Sequence, residues 1–65
     1  MKSGWLVGPA YDGTKKQYEV YRLIDALGEN VAENREVHGS YPTRDGAVSA
    51  AKDLNKQAAE NFWKQ

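Results

Sequence analysis

The chain has no cysteine, one histidine, one phenylalanine and two prolines among its 65 residues. Without cysteine there can be no disulfide staple, thiolate zinc site or thiol nucleophile. No apolar run approaches the ~18 residues of a membrane span. Met1-Lys2-Ser3-Gly4-Trp5 has no apolar stretch behind its charge, as a signal peptide requires. These absences lead to the expectation of a cytoplasmic chain without a membrane segment. An excess of one charge is also missing: nine Lys/Arg balance nine Asp/Glu. Leu, Ile, Val and Phe together number only eleven, a share that would read as disorder if the net charge were high. With zero net charge, and with two Trp and four Tyr supplying apolar bulk, a folded single domain over 1–65 is expected. A core of this size supplies only about 3–5 kcal/mol. A bound partner, a second copy included, would add to that.

Asp12-Gly13 suits a two-residue type I′ hairpin turn, because glycine accepts a positive φ without a Cβ penalty. Pairing about that turn sets Tyr11 opposite Thr14, Val7 opposite Tyr18 and Trp5 opposite Val20. Trp5, Val7, Tyr18 and Val20 then share one face. Strands are expected at about 4–11 and 14–24, the first an edge strand or one bulged at Pro9, because proline cannot donate to a ladder. Residues 25–33, with Gly28, Asn30 and three acids, read as a loop with room for a short extra turn. A third strand follows at about 34–41, with Val37, Gly39 and Tyr41 on one face and Glu36, His38 and Ser40 on the other. Gly39 is expected to leave room for an aromatic ring on the neighbouring strand.

Pro42 ends that strand, and Thr43 is a good helix N-cap with Asp45 near the positive helix end. Over residues 44–63, Ala47, Ala50, Ala51, Leu54, Ala58 and Phe62 fall in one stripe at helical spacing. A mostly alanine stripe lets a helix sit close to a sheet whose aromatics fill the gap. The expected architecture is α+β: a three-stranded antiparallel meander packed against one C-terminal helix, in the order β-β-β-α.

One helix covers one sheet face. By parity the other face carries Leu6, Glu19, Tyr21, Leu23, Glu36, His38 and Ser40. Leu6, Tyr21 and Leu23 form an apolar group with nothing in the chain left to cover them, which marks a binding or dimer face. A helix over 44–63 is also longer than the strands, so Trp63 is expected as a secondary contact beyond the sheet edge. Arg22 falls on the core face near the sheet end, where it either snorkels or pairs with Glu29 or Glu33.

Chemistry is sparse. Glu36 and His38, at i,i+2 on a strand, point the same way, but no second histidine completes a metal site. Three serines and the lone histidine show no nucleophile-and-base spacing. No glycine-rich phosphate loop precedes a helix. The expectation is a non-enzymatic chain with no catalytic residue, metal or cofactor. Nucleic acid is weighed by segment charge: residues 1–24 carry +2, residues 25–41 carry −3 and residues 42–65 carry +1. Phosphate contacts come from a basic face, and Glu19 and Glu36 on the free face disfavour that use.

The run Tyr41-Pro42-Thr43-Arg44-x-x-Ala47, with Val20-Tyr21-Arg22-Leu23 and Asn34-Arg35-Glu36 before it, resembles a set of small uncharacterised proteins of Gram-positive bacteria and their phages. More remotely, with Trp5-x-Val7, it is similar to the arm-type DNA-binding domain of tyrosine integrases. The first resemblance implies no assigned activity. The second implies a three-stranded sheet backed by a helix, its free face laid in the DNA major groove. The reading is therefore a small interaction module of a phage or mobile element. It binds protein, itself included as a homodimer, through Leu6, Tyr21, Leu23, His38 and Trp63. The alternative is a DNA-binding module using the same face and the Lys15-Lys16 hairpin.

Overall fold

A computed structural model describes residues 1–63, with side chains described through residue 60. Strands β1 (Leu6–Asp12), β2 (Lys15–Leu23) and β3 (Arg35–Tyr41) precede a helix, α1 (Arg44–Trp63). They form one antiparallel sheet in the order β1-β2-β3. The α+β meander with a C-terminal helix is the architecture read from the sequence. β1 lies at an edge, one of the two settings that suit Pro9.

The hairpin turns one step later than the Asp-Gly pair suggests. Asp12 pairs with Lys15 and Val7 with Val20, leaving Gly13 and Thr14 as the turn. Gly13 has φ +64°, and among the described residues no non-glycine has a positive φ. A type I′ turn on Asp12-Gly13 would force Asp12 into that region as well. Positive φ at the first central residue alone is the type II′ pattern. The two-residue shift preserves parity, so every side chain of β1 and β2 stays on its expected face.

The second difference inverts faces. Val20 pairs with Gly39 but Tyr21 pairs with Val37, so His38 is an extra, unpaired residue in β3. This β-bulge reverses the alternation of everything before it in β3. Unbulged, Arg22 would face Val37 and Leu23 would face Glu36. Bulged, Arg22 faces Glu36 and Leu23 faces Arg35. A core-side guanidinium thereby gains a carboxylate. The expected placement of Val37 toward the helix, and of Glu36 and His38 away from it, is corrected accordingly. Gly39 accommodates no ring either: a Cβ there would meet nothing within 4 Å.

The core lies between β2 and the first half of α1. Val20, Ala47 and Ala51 are buried together, ringed by Trp5, Val7, Tyr18, Tyr41, Ala50 and Leu54. Among the described residues Val20 is the one large side chain fully enclosed. Thr43 caps α1: the Gly46 N–H donates to its Oγ1 at 3.2 Å. Beyond Asn55 the helix leaves the sheet, and Ala58, in phase with the buried stripe, is exposed. Twenty helical residues span ~30 Å, which accounts for a domain 44 Å long and 11 Å thick. The expectations that Phe62 joins the buried stripe and that Trp63 is a secondary contact lie outside the described side chains.

Candidate functional site

The face of the sheet turned away from α1 is built around Tyr21. Its ring lies across Gly8 of β1, where a Cβ would stand 3.0 Å from the ring carbon Cε1. The Arg35 guanidinium covers the ring from β3, 4.4 Å from its centroid. The Tyr21 hydroxyl accepts a hydrogen bond from Asn30 Nδ2 at 3.1 Å. Arg35 Nε in turn donates to Asn30 Oδ1 at 2.8 Å. The far side of the guanidinium faces Glu19, at 3.9 Å. Tyr21 is consequently only 6% exposed. The expectation that nothing in the chain covers it is corrected: the bulge swings Arg35 onto this face, and Arg35 and Asn30 close over the ring.

Two aliphatic side chains flank this covered aromatic. Leu6 is 39% exposed and Val37 is 52% exposed, both paired opposite Tyr21. Leu23 is half-buried beside them. The exposed apolar surface is therefore Leu6 and Val37 around an Arg35–Glu19 centre, rather than Leu6, Tyr21 and Leu23 alone.

His38 stands apart from that group. It is exposed at the helix-side rim, edge-on to Trp5 with centroids 5.7 Å apart. Trp5 carries the Arg22 guanidinium 4.5 Å above its ring. Arg22 is ion-paired with Glu36, which also accepts from Lys2 Nζ at 3.0 Å. The Lys2 hydrogen bond and then the Arg22 hydrogen bond hold the Glu36 carboxyl below its ordinary range, against some desolvation. Arg22 is thus paired, with Glu36 rather than with Glu29 or Glu33.

Side-chain amides brace the rest, and the sequence reading passed over them. Asn34 Oδ1 accepts from the Asp25 N–H, and its Nδ2 donates to the carbonyls of Asp25 and Glu29. It thereby closes the loop, in which Ala32–Asn34 form a 3-10 turn. Asn55 Oδ1 accepts from the Trp5 N–H at 2.7 Å and its Nδ2 donates to the Trp5 carbonyl at 3.2 Å. One signal for Asn55 was present: it lies four residues after Ala51, at the border of the buried stripe. A polar residue there faces the first strand.

Among the described residues no group of His, Asp and Glu is placed to hold a metal ion, and no pocket is formed. No described helix is long and apolar enough to cross a membrane. No family model, curated protein or solved structure matches the chain.

Proposed function

We propose that this domain is a non-enzymatic interaction module of the cytoplasm that self-associates through the sheet face opposite α1. The observation that carries the reading is Leu6 and Val37, both exposed, on either side of the Arg35–Glu19 pair. That arrangement is self-complementary. A second copy turned about a two-fold axis presents Glu19 to Arg35 and apolar surface to apolar surface. Edge-to-edge pairing is a poorer route, because β1 carries Pro9 and β3 carries the bulge at His38. Nucleic acid is a poorer occupant, because Glu19 offsets Arg35 where a phosphate would sit.

Size sets the strength. Strand spacing and rise give a face of about 14 × 23 Å, below the ~800 Å² per partner of a stable complex. Association is therefore weak and needs protein on the order of 0.1–1 mM to populate the dimer.

Sedimentation equilibrium over a concentration series tests this. The wild-type average mass should rise with concentration. Val37→Asp and Leu6→Asp, at exposed positions, should stay monomeric with an unchanged circular dichroism spectrum. His38→Ala, on the opposite side, should behave as wild type. A wild type that stays monomeric to the top of the series overturns the proposal. So does dimerisation that survives both Asp variants.

A further inference from the structure

The chain contains two Asp-Gly pairs, Asp12-Gly13 and Asp45-Gly46. This dipeptide is chemically labile, because glycine leaves its amide nitrogen unshielded against the aspartyl carboxyl. We infer that the fold makes one pair a site of spontaneous isoaspartyl formation and protects the other.

Asp12-Gly13 sits at the exposed hairpin tip. Asp12 ends β1, and among the described residues its carboxyl makes no hydrogen bond or ion pair. Gly13 is in the turn itself, its φ is +64°, and a Cβ on it would meet nothing within 4 Å. Among the described residues its N–H has no acceptor, so attack sacrifices no hydrogen bond. Fraying the last pair, Asp12 with Lys15, frees the Asp12 main chain to rotate its carboxyl toward the Gly13 nitrogen.

Asp45-Gly46 is held otherwise. Both residues lie in the first turn of α1, and the Gly46 N–H donates to Thr43 Oγ1 at 3.2 Å. A Cβ on Gly46 would stand 3.2 Å from Thr43 Oγ1 and 3.8 Å from the Tyr41 ring, so this backbone is packed in place. Attack there breaks the helix cap.

The reaction at Asp12 uses only the chain and water. The Gly13 amide nitrogen attacks Asp12 Cγ of the protonated carboxyl, forming an N–Cγ bond. The carboxyl C–OH bond breaks, and hydroxyl and amide proton leave as water. A water then opens the resulting succinimide. Addition at Cγ restores aspartate. Addition at the main-chain carbonyl breaks its bond to nitrogen and leaves the chain running through the former side chain. The isoaspartyl product carries an extra methylene in the main chain, which a two-residue turn cannot absorb without losing register. The site is therefore a slow covalent clock on the β1–β2 hairpin.

The test is prolonged incubation of the full chain in mildly acidic buffer, then peptide mapping and labelling with an isoaspartyl-specific methyltransferase. Isoaspartate should exceed that at residue 45 by about tenfold at residue 12, where local opening is easier. Asp12→Glu should abolish that signal, because the larger ring closes far more slowly, and Asp45→Glu should leave it intact. The same chain in concentrated urea should modify both pairs at comparable rates. A folded ratio equal to the urea ratio, or no product at residue 12 while urea samples modify both, overturns the inference.

Discussion

Replacing Asn55 with alanine sets two ordinary expectations against each other. Alanine is the better helix former by about 0.6 kcal/mol, so at a solvated helix position Asn55→Ala should stabilise. The structure gives the opposite sign. Asn55 bonds both main-chain polar groups of Trp5, one residue before β1 begins, and so extends the strand's hydrogen bonding with a side chain. Two such bonds at about 1 kcal/mol each, less the gain in propensity, leave a net loss of about 1.4 kcal/mol. For a domain of this size that lowers Tm by about 6–10 °C. Thermal melts by circular dichroism measure the sum, and exchange of the Trp5 amide reports the bond itself. Gln57→Ala, at an exposed site on the same helix, is the control for a gain in propensity with no Trp5 bond lost, a gain smaller than that of Asn→Ala. Asn55→Asp should fall between, keeping an acceptor for the Trp5 N–H and losing the donor to its carbonyl. An Asn55→Ala protein as stable as Gln57→Ala, with Trp5 exchange unchanged, would refute the pin.

Val20→Ala should cost about 2–3 kcal/mol of the ~3–5 kcal/mol such a core supplies, since Val20 is fully enclosed; the ~0–3 kcal/mol left should move the urea midpoint strongly toward zero denaturant. Gly8→Ala, whose Cβ meets the Tyr21 ring at 3.0 Å, should cost about 1–2 kcal/mol and shift the NMR resonances of Tyr21 and Asn30 together. Glu36 has its carboxyl pKa depressed by Lys2 and Arg22, so its stabilising contribution is present above the ordinary carboxylate range. It is lost as pH falls through the depressed value. Urea midpoints of wild type should therefore drop across the acid range more than those of Glu36→Gln.

The fold was legible because two periodicities agree. Trp5, Val7, Tyr18 and Val20 alternate on the strands, and Ala47, Ala50, Ala51 and Leu54 recur at helical spacing; each set is the other's cover. The register error of the hairpin left this intact, since a shift by two keeps parity. What composition could not show is the bulge. His38 has nothing local that marks it as unpaired; its position follows from Arg22, sixteen residues earlier, meeting Glu36 instead of Val37. From that one residue follow the errors at the site: Arg35 arrives over Tyr21, Val37 turns outward and His38 moves to the Trp5 side. Asn30, Asn34 and Asn55 were missed for a related reason. Their work is to substitute for main-chain partners, which a reading of apolar spacing does not see.

The extra residue in β3 also bears on how this chain tolerates change. A substitution alters one side chain, whereas loss of the codon for His38, the unpaired residue, would remove the bulge and leave Val37 opposite Tyr21, Glu36 opposite Arg22 and Arg35 opposite Leu23. Both sides of the sheet would keep their chemistry. Keeping all residues and ironing the bulge out, with His38 opposite Tyr21, would instead transpose Arg35, Glu36 and Val37 together. The bulge is therefore slack in the chain: a homologous chain one residue shorter at 38 would present the same two surfaces as this one.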